Sequence, residues 1–312
     1  MLKARLQREL DLDPATTGHS PAHLSAASGL VALGEQLYVI ADDEHALGVF
    51  PAAGAGKGTL RRVFAEQLPQ SPTQRKAAKA DLEVLLHVPV SDGLPQGLLL
   101  ALGSGSTAQR ERGVWFALDG AGRLQGDAQP LDLGPLYAAL RNALPALNLE
   151  GAVVRAEALI LLQRASRIDR RNALIHLPLG MLRQALASGT FAAPPSIPPP
   201  TAIDLGECEG VPWSFTDATV LDDGRILFSA VAEDSPDTYS DGRNLGSAIG
   251  WLAADGRLES LHRIAGTAKI EGIAVAAVGG RSQLWMVTDA DDPQVPAQLL
   301  QLDLIDIPRT TC

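Results

Sequence analysis

The sequence is short of cysteine, aromatics, positive charge and long apolar runs, and each shortage removes a class of protein. Its two cysteines, Cys208 and Cys312, cannot build a disulfide scaffold or a Cys-rich zinc module. Six Phe, four Trp and three Tyr in 312 residues leave no interleaved stacking platform for bases or sugars. Lys and Arg number 26 against 36 Asp and Glu, a formal net charge of −10. With no basic surplus to release counterions, nucleic acid is not an expected partner. The densest apolar stretches, residues 97–102 and 158–162, have strand length and fall far below the ~20 residues a bilayer needs. The opening MLKARLQREL carries three basic residues and no secretory apolar core. A membrane is therefore not an expected partner either, and a cytoplasmic location is expected.

Glycine and proline are plentiful, 30 and 21 residues, and they punctuate a repeat. Five segments share one pattern: a small or acidic residue, often followed by Gly, opens an apolar strand. A second strand then ends in polar residues, and a third follows. The marker positions are Ser28, Glu83, Glu150, Asp217 and Glu271, spaced by 55, 67, 67 and 54 residues. Such irregular spacing suits one structural unit with variable loops. Turn signals at Asp119-Gly120-Ala121-Gly122 and Asp255-Gly256 stand where a third strand hands over to a fourth. Four-stranded antiparallel units repeated about five times describe an all-β fold, a β-propeller, with five blades expected and six as the alternative. Radial closure also removes the exposed edges that a row of hairpins would leave.

The fifth copy runs out near Asp303, so residues 2–12 are expected to supply its missing strand and close the ring. Leucines at helical spacing predict rim helices over 135–144 and 178–188, with another over 74–80. The stretch Pro194-Pro195-Ser196-Ile197-Pro198-Pro199-Pro200 is a stiff extended connector. The strand pattern resumes unchanged after it, so residues 1–312 are expected to form a single domain.

Familiar motifs fail on inspection. Gly54-Ala55-Gly56-Lys57-Gly58-Thr59 resembles a phosphate loop, but Pro51 and Gly58 occupy places that need Gly and Ser/Thr. His19, His23, His45, His87, His176 and His262 form no paired metal motif. Nothing local supports a Ser–His–Asp triad.

The marker positions remain. Inner strands of a propeller run along its channel, so Glu83, Glu150, Asp217 and Glu271, with Ser28 as fifth member, are expected to ring one mouth. Converging carboxylates repel one another and need compensation. Hard oxygen ligands would select Ca²⁺ or Mg²⁺. Cations such as Lys79, Lys269 or Arg164, or bonds to backbone amides, would serve equally. The loops after the second strands should crown this face, with Arg110, Arg112, Arg164, Arg167, Arg170 and Arg171 forming a basic sector. Acidic loops should face it: Asp42, Asp43 and Glu44; Glu233, Asp234, Asp237 and Asp241; Asp289, Asp291 and Asp292.

Asn148-Leu149-Glu150-Gly151, Lys269-Ile270-Glu271-Gly272 and Glu209-Gly210-Val211-Pro212-Trp213 carry a family resemblance. Inner strands opening on Glu-Gly resemble those of bacterial phytase-like and esterase-like propellers and of SdiA-regulated propeller proteins. The stretch from Glu209 is similar to the Glu-Gly-Pro-x-Trp motif of gluconolactonase/regucalcin-type propellers, whose glutamate helps to bind a catalytic divalent cation. Here Pro212 stands one place later, and Glu209 precedes the strand near Phe215. The resemblance implies a divalent-cation-dependent hydrolase of a small ester, lactone or phosphoester. Glu83, Glu150, Asp217 and Glu271 would be metal ligands, Glu150 doubling as general base, and Arg164 would orient an anionic substrate group. The alternative is a non-catalytic propeller that binds a protein or small molecule at the channel mouth.

Overall fold

The recurring strands, rich in Val, Ile and Leu, pair in chain order, and the Gly- and Asp-containing turns reverse the chain between them. The computed structural model describes residues 1–17, 22–69, 71–90, 94, 96–166, 169–234 and 242–309. Expectations placed on His19, Arg167, Asp237, Asp241 and Cys312 lie outside the described residues.

Strand β1 (Arg5–Glu9) precedes the first blade, which comprises β2 (Ala27–Leu33), β3 (Gln36–Ala41), β4 (Ala46–Pro51) and β5 (Thr59–Arg62). The second blade is β6 (Leu82–Val88), β7 (Leu98–Gly103), β8 (Arg112–Leu118) and β9 (Leu124–Asp132). The third is β10 (Leu149–Arg155), β11 (Ala158–Gln163), β12 (Asn172–Pro178) and β13 (Thr201–Ile203). The fourth adds the two-residue β14 (Glu207–Cys208) at the inner edge of β15 (Val211–Val220), β16 (Ile226–Asp234), β17 (Arg243–Leu252) and β18 (Leu258–Arg263). The fifth is β19 (Lys269–Val278), β20 (Arg281–Asp289) and β21 (Gln298–Asp303), completed by β1. The fold is thus the expected five-bladed β-propeller, and the amino-terminal strand closes it.

Closure has a hydrophobic cause as well as a ladder. Strand β1 pairs antiparallel with β21, Arg5 opposite Gln301. Leu10 and Leu12 are then buried with Leu24 and Phe50 of the first blade's side and Trp285 and Leu299 of the fifth. The other apolar clusters likewise straddle neighbouring blades. Val153, Ile160 and Leu174 meet Phe215, Phe228 and Ala230, for example, and the two phenylalanines pack edge to face at 5.0 Å. Each such Leu or Phe contributes roughly 1.5–3 kcal/mol by leaving water. Helices Gly134–Leu140 and Leu179–Ser188, close to their expected positions, bury Leu136, Tyr137, Leu140, Leu179 and Leu182 in the cluster that joins the second and third blades. A further helix spans Pro72–Ala78.

One irregularity recurs at the start of the inner strands. The ladder of each skips one residue: Ser28, Glu83, Glu150, Thr216 and Glu271. A bulge sets two residues against one, which re-aims the extra side chain and sharpens the twist. The following residue is Gly29, Gly151 or Gly272 in the first, third and fifth blades. A Cβ on Gly272 would stand 2.8 Å from the backbone of Gly29 and Leu30, and one on Gly29 would stand 2.8 Å from Leu85 Cβ. The Glu-Gly signature is therefore a packing requirement of a narrow ring, in which inner strands approach backbone to backbone.

Candidate functional site

The bulges direct side chains into a cavity of about 230 Å³ at one mouth of the channel. Ser28, Glu83, Glu150 and Glu271 line it, as expected. Asp217 does not share this ring among the described residues, and its placement is corrected. The bulge falls on Thr216, so Asp217 occupies the position filled by Gly29, Gly151 and Gly272 elsewhere. Its carboxylate accepts the amides of Ala218 at 2.7 Å and Ile273 at 2.8 Å, buried beneath the cavity. It ties the fourth blade to the fifth. Thr216 Oγ1 lies 2.9 Å from Ile270 O and faces the same neighbour.

A second tier lies two residues upstream of the bulge. Asp81, Asn148, Ser214 and Lys269 all line the cavity. Two-residue spacing on a strand returns a side chain to the same face, so the second, third and fifth blades each present a pair: Asp81 with Glu83, Asn148 with Glu150, and Lys269 with Glu271. Asn148 Nδ2 donates to Glu150 Oε1 at 2.6 Å.

Cations are threaded between the acids. Arg164 holds Glu150 at 3.2 Å and Glu233 at 2.6 Å. Lys269 Nζ bonds Asp291 at 2.8 Å and lies 3.3 Å from Glu271 and 3.8 Å from Glu233. Lys79 bonds Asp42 and meets Asp81 at 2.9 Å, and Arg110 meets Asp81 at 2.8 Å. The expected segregation into basic and acidic sectors is replaced by alternation, because each ammonium or guanidinium buried here needs carboxylates within reach. The Arg164 side chain is 15% exposed with both terminal nitrogens committed, so it fixes Glu150 rather than offering a face to an anionic substrate group.

The compensation is incomplete. Nine acidic and six basic side chains line the cavity among the described residues. Glu83, partly buried, makes no hydrogen bond or ion pair among them, and Glu271 Oε1, fully buried, receives no hydrogen bond. Burial, with Glu150, Asp81 and Asp42 nearby, holds the Glu83 carboxyl well above its ordinary range despite Lys79. Burial pushes Glu150 up to about 7, with Arg164 opposing and Glu271 and Asp81 reinforcing. Asp289 also rises, through burial and its acidic neighbours Asp42 and Asp291, although Lys269 opposes. Asp81 moves the other way, because Lys79 and Arg110 outweigh its burial.

The hairpin from β14 to β15 overhangs the mouth, with Gly210, Val211 and Pro212 lining the cavity. Glu209, at its tip, has φ +53° and an exposed side chain 3.9 Å from Arg263. It is thus not placed as a ligand in the cavity, unlike the glutamate of the motif it resembles. Asp81 and Ser214 were not legible as site residues from hydropathy. The signal that finds them is the polar residue two positions before the bulge in four of the five blades, Ala26 standing there in the first.

Fold and site together define a five-bladed β-propeller with a charged funnel at one end of its channel. A family model, Family of unknown function (DUF6929), matches residues 23–304, and the chain belongs to that family. No curated protein matches the chain. Among solved structures it is similar to a luciferin-regenerating enzyme at 11% identity, covering 93% of this chain and 94% of that one, TM-score 0.46. It is similar also to an α-L-arabinanase of Penicillium chrysogenum complexed with arabinobiose, at 10% identity, 98% and 99% coverage and TM-score 0.46. YCF48 from Cyanidioschyzon merolae matches at 9% identity, 92% and 70% coverage and TM-score 0.36. Overlaps this loose carry nothing about activity. Among the described residues, no helix is long and apolar enough to cross a membrane.

Proposed function

We propose that the funnel is a small-molecule site that hydrolyses an uncharged or positively charged ester or lactone by acid–base chemistry. The observation that carries this reading is Glu83, an unpaired carboxyl facing the same cavity as the paired carboxylate of Glu150. Carboxyls whose surroundings push their protonation apart can serve as base and acid at one pH. Glu150, held by Arg164, takes a proton from water as its oxygen attacks the carbonyl carbon. Protonated Glu83 gives a proton to the departing alkoxide, leaving acid and alcohol as products. Arg164 is a positioning residue here.

A resident divalent cation is a poorer fit. Asp42, Asp81 and Glu83 bring carboxylate oxygens within 4.8 Å of one another, a spacing that Ca²⁺ or Mg²⁺ can bridge. Lys79 already sits between Asp42 and Asp81, however, and Arg110 also holds Asp81. An ion would have to displace a buried ammonium, so no step is assigned to one. Phosphoesters are disfavoured by the acidic excess of the lining. The second reading, a propeller that binds its ligand without turnover, is favoured by the double hold on Glu150.

The test is turnover of a panel of lactones and p-nitrophenyl esters by the parent and Glu150→Gln, with thermal shifts in Ca²⁺, Mg²⁺ and EDTA. Turnover that Glu150→Gln abolishes supports the hydrolase. Ligand-induced stabilisation without turnover selects the binding reading. Stabilisation by Ca²⁺ or Mg²⁺, reversed by EDTA, would restore the metal.

A further inference from the structure

The funnel's unmet electrostatics specify what enters it. Each cation of the ring is engaged: Lys79 with Asp42 and Asp81, Arg164 with Glu150 and Glu233, and Lys269 with Asp291 and Glu271. What the ring leaves unanswered is acceptor capacity. Glu83 makes no hydrogen bond or ion pair among the described residues and feels Lys79 only at longer range. Glu271 is 4% exposed, and its Oε1 receives no hydrogen bond; it has only the 3.3 Å ion pair with Lys269, whose aligned hydrogen bond goes to Asp291. A carboxylate oxygen that solvent does not reach and that receives no hydrogen bond, as at Glu271 Oε1, is a costly arrangement, and a donor carrying positive charge relieves it most fully.

Taking the funnel as a ligand site, we propose that its ligand is a small organic cation whose ammonium or guanidinium group seats against Glu83 and Glu271. A cation seated on Glu83 holds that carboxyl ionised, so the proposal deepens the binding reading of the site and not the one in which Glu83 donates a proton. The cavity of about 230 Å³ admits a molecule of a few carbons, not a peptide or a sugar chain. An ammonium supplies up to three donors and a guanidinium five, which suits a lining rich in carboxylate, amide and hydroxyl oxygens. An anion of the same size would meet only cations already shared among acids.

The experiment is calorimetric titration of the full chain, in EDTA at low salt, with putrescine, butanediol and succinate, which share a four-carbon skeleton. Putrescine should bind saturably, while butanediol and succinate should not. Glu83→Gln and Glu271→Gln should each weaken putrescine binding at least tenfold, and Glu9→Gln, on exposed β1, should leave it unchanged. Loss of salt bridges is not a confounder at Glu83, and thermal melts of each variant confirm that it is folded. The proposal is overturned if succinate or butanediol binds as tightly as putrescine. It is overturned equally if putrescine does not bind the folded parent, or if Glu83→Gln binds it as the parent does. Hydrolase assays could fail while putrescine binds, so the two readings fall separately.

Discussion

The carboxylate of Asp217 accepts the amide proton of Ile273 at 2.8 Å, joining the inner strand of the fourth blade to that of the fifth. Ala218 donates to its other oxygen at 2.7 Å. An acid that sequence spacing groups with the funnel is thereby spent on the backbone. Asp217→Ala leaves both buried amides without an acceptor, and each orphaned donor costs about 1–3 kcal/mol. Urea unfolding should show a loss of about 3 kcal/mol, with ligand binding by the folded fraction intact. An unfolding curve superimposable on the parent's would remove the ring-tie role.

Glycines divide by what surrounds them. A Cβ at Gly272 meets the backbone of Gly29 and Leu30 at 2.8 Å, where neither neighbour can yield. Gly272→Ala should cost about 1–3 kcal/mol. At Gly180, in helix Leu179–Ser188, a Cβ meets nothing within 4 Å, so Gly180→Ala should gain about 0.5–1 kcal/mol. Chemical denaturation of the pair, side by side, checks both signs.

Acidity should favour the folded state over an unusual range. Glu150 is pushed up to about 7, and Glu83 and Asp289 stand well above their ordinary values, all through burial first. In the unfolded chain these carboxyls release their protons near pH 4. Above that point the folded state retains protons that the unfolded chain has lost, so stability declines as pH rises through about 5 to 8. Asp81, held low by Lys79 and Arg110 against its burial, contributes stability that disappears only in strong acid. Melting temperature should therefore drop by a few degrees from about pH 5.5 to 7.5. Glu150→Gln should flatten that slope; an unchanged slope would show that the ring does not titrate there.

Glu83→Gln keeps the shape of an unpaired carboxyl while removing its charge. The variant should melt above the parent at about pH 8, by an amount worth ~1 kcal/mol, and the gap should narrow as pH falls and Glu83 takes up a proton. A residue whose neutralisation stabilises the fold while weakening ligand binding is retained for function. Destabilisation at pH 8 would contradict this.

Removing residues 1–13 deletes β1 together with Leu10 and Leu12, both fully buried. The fifth blade would lose a strand and expose the edge of β21. Circular dichroism should show loss of the cooperative transition or a large drop in its midpoint, with aggregation at high concentration. A truncated chain that melts with the parent would show that closure is dispensable.

The blades were legible because their strands are apolar runs bounded by turn residues, and because Glu150-Gly151 and Glu271-Gly272 recur at one place in the unit. The register was legible to within one residue. Phe215-Thr216-Asp217 invites alignment of its acid with the glutamates, whereas the ladder places Thr216 at the bulge. Hydropathy cannot see a bulge, since it shifts pairing without changing composition. The polar residues two places upstream, Asp81, Asn148, Ser214 and Lys269, would have settled it. The threading of Lys79 between Asp42 and Asp81 depends on two blades meeting in space, and no local pattern encodes that.

The pairing of Arg5 with Gln301 also sets a timetable for biosynthesis. The funnel draws Ser28 from the first blade and Asp291 from the last, so it does not exist while the nascent chain is still being extended through the fifth. Until then β1 has no partner, and it waits through the synthesis of all the intervening blades for β21. A ligand of the funnel can therefore stabilise only molecules that have already closed. It can act as a check on finished rings but not as a template for their assembly.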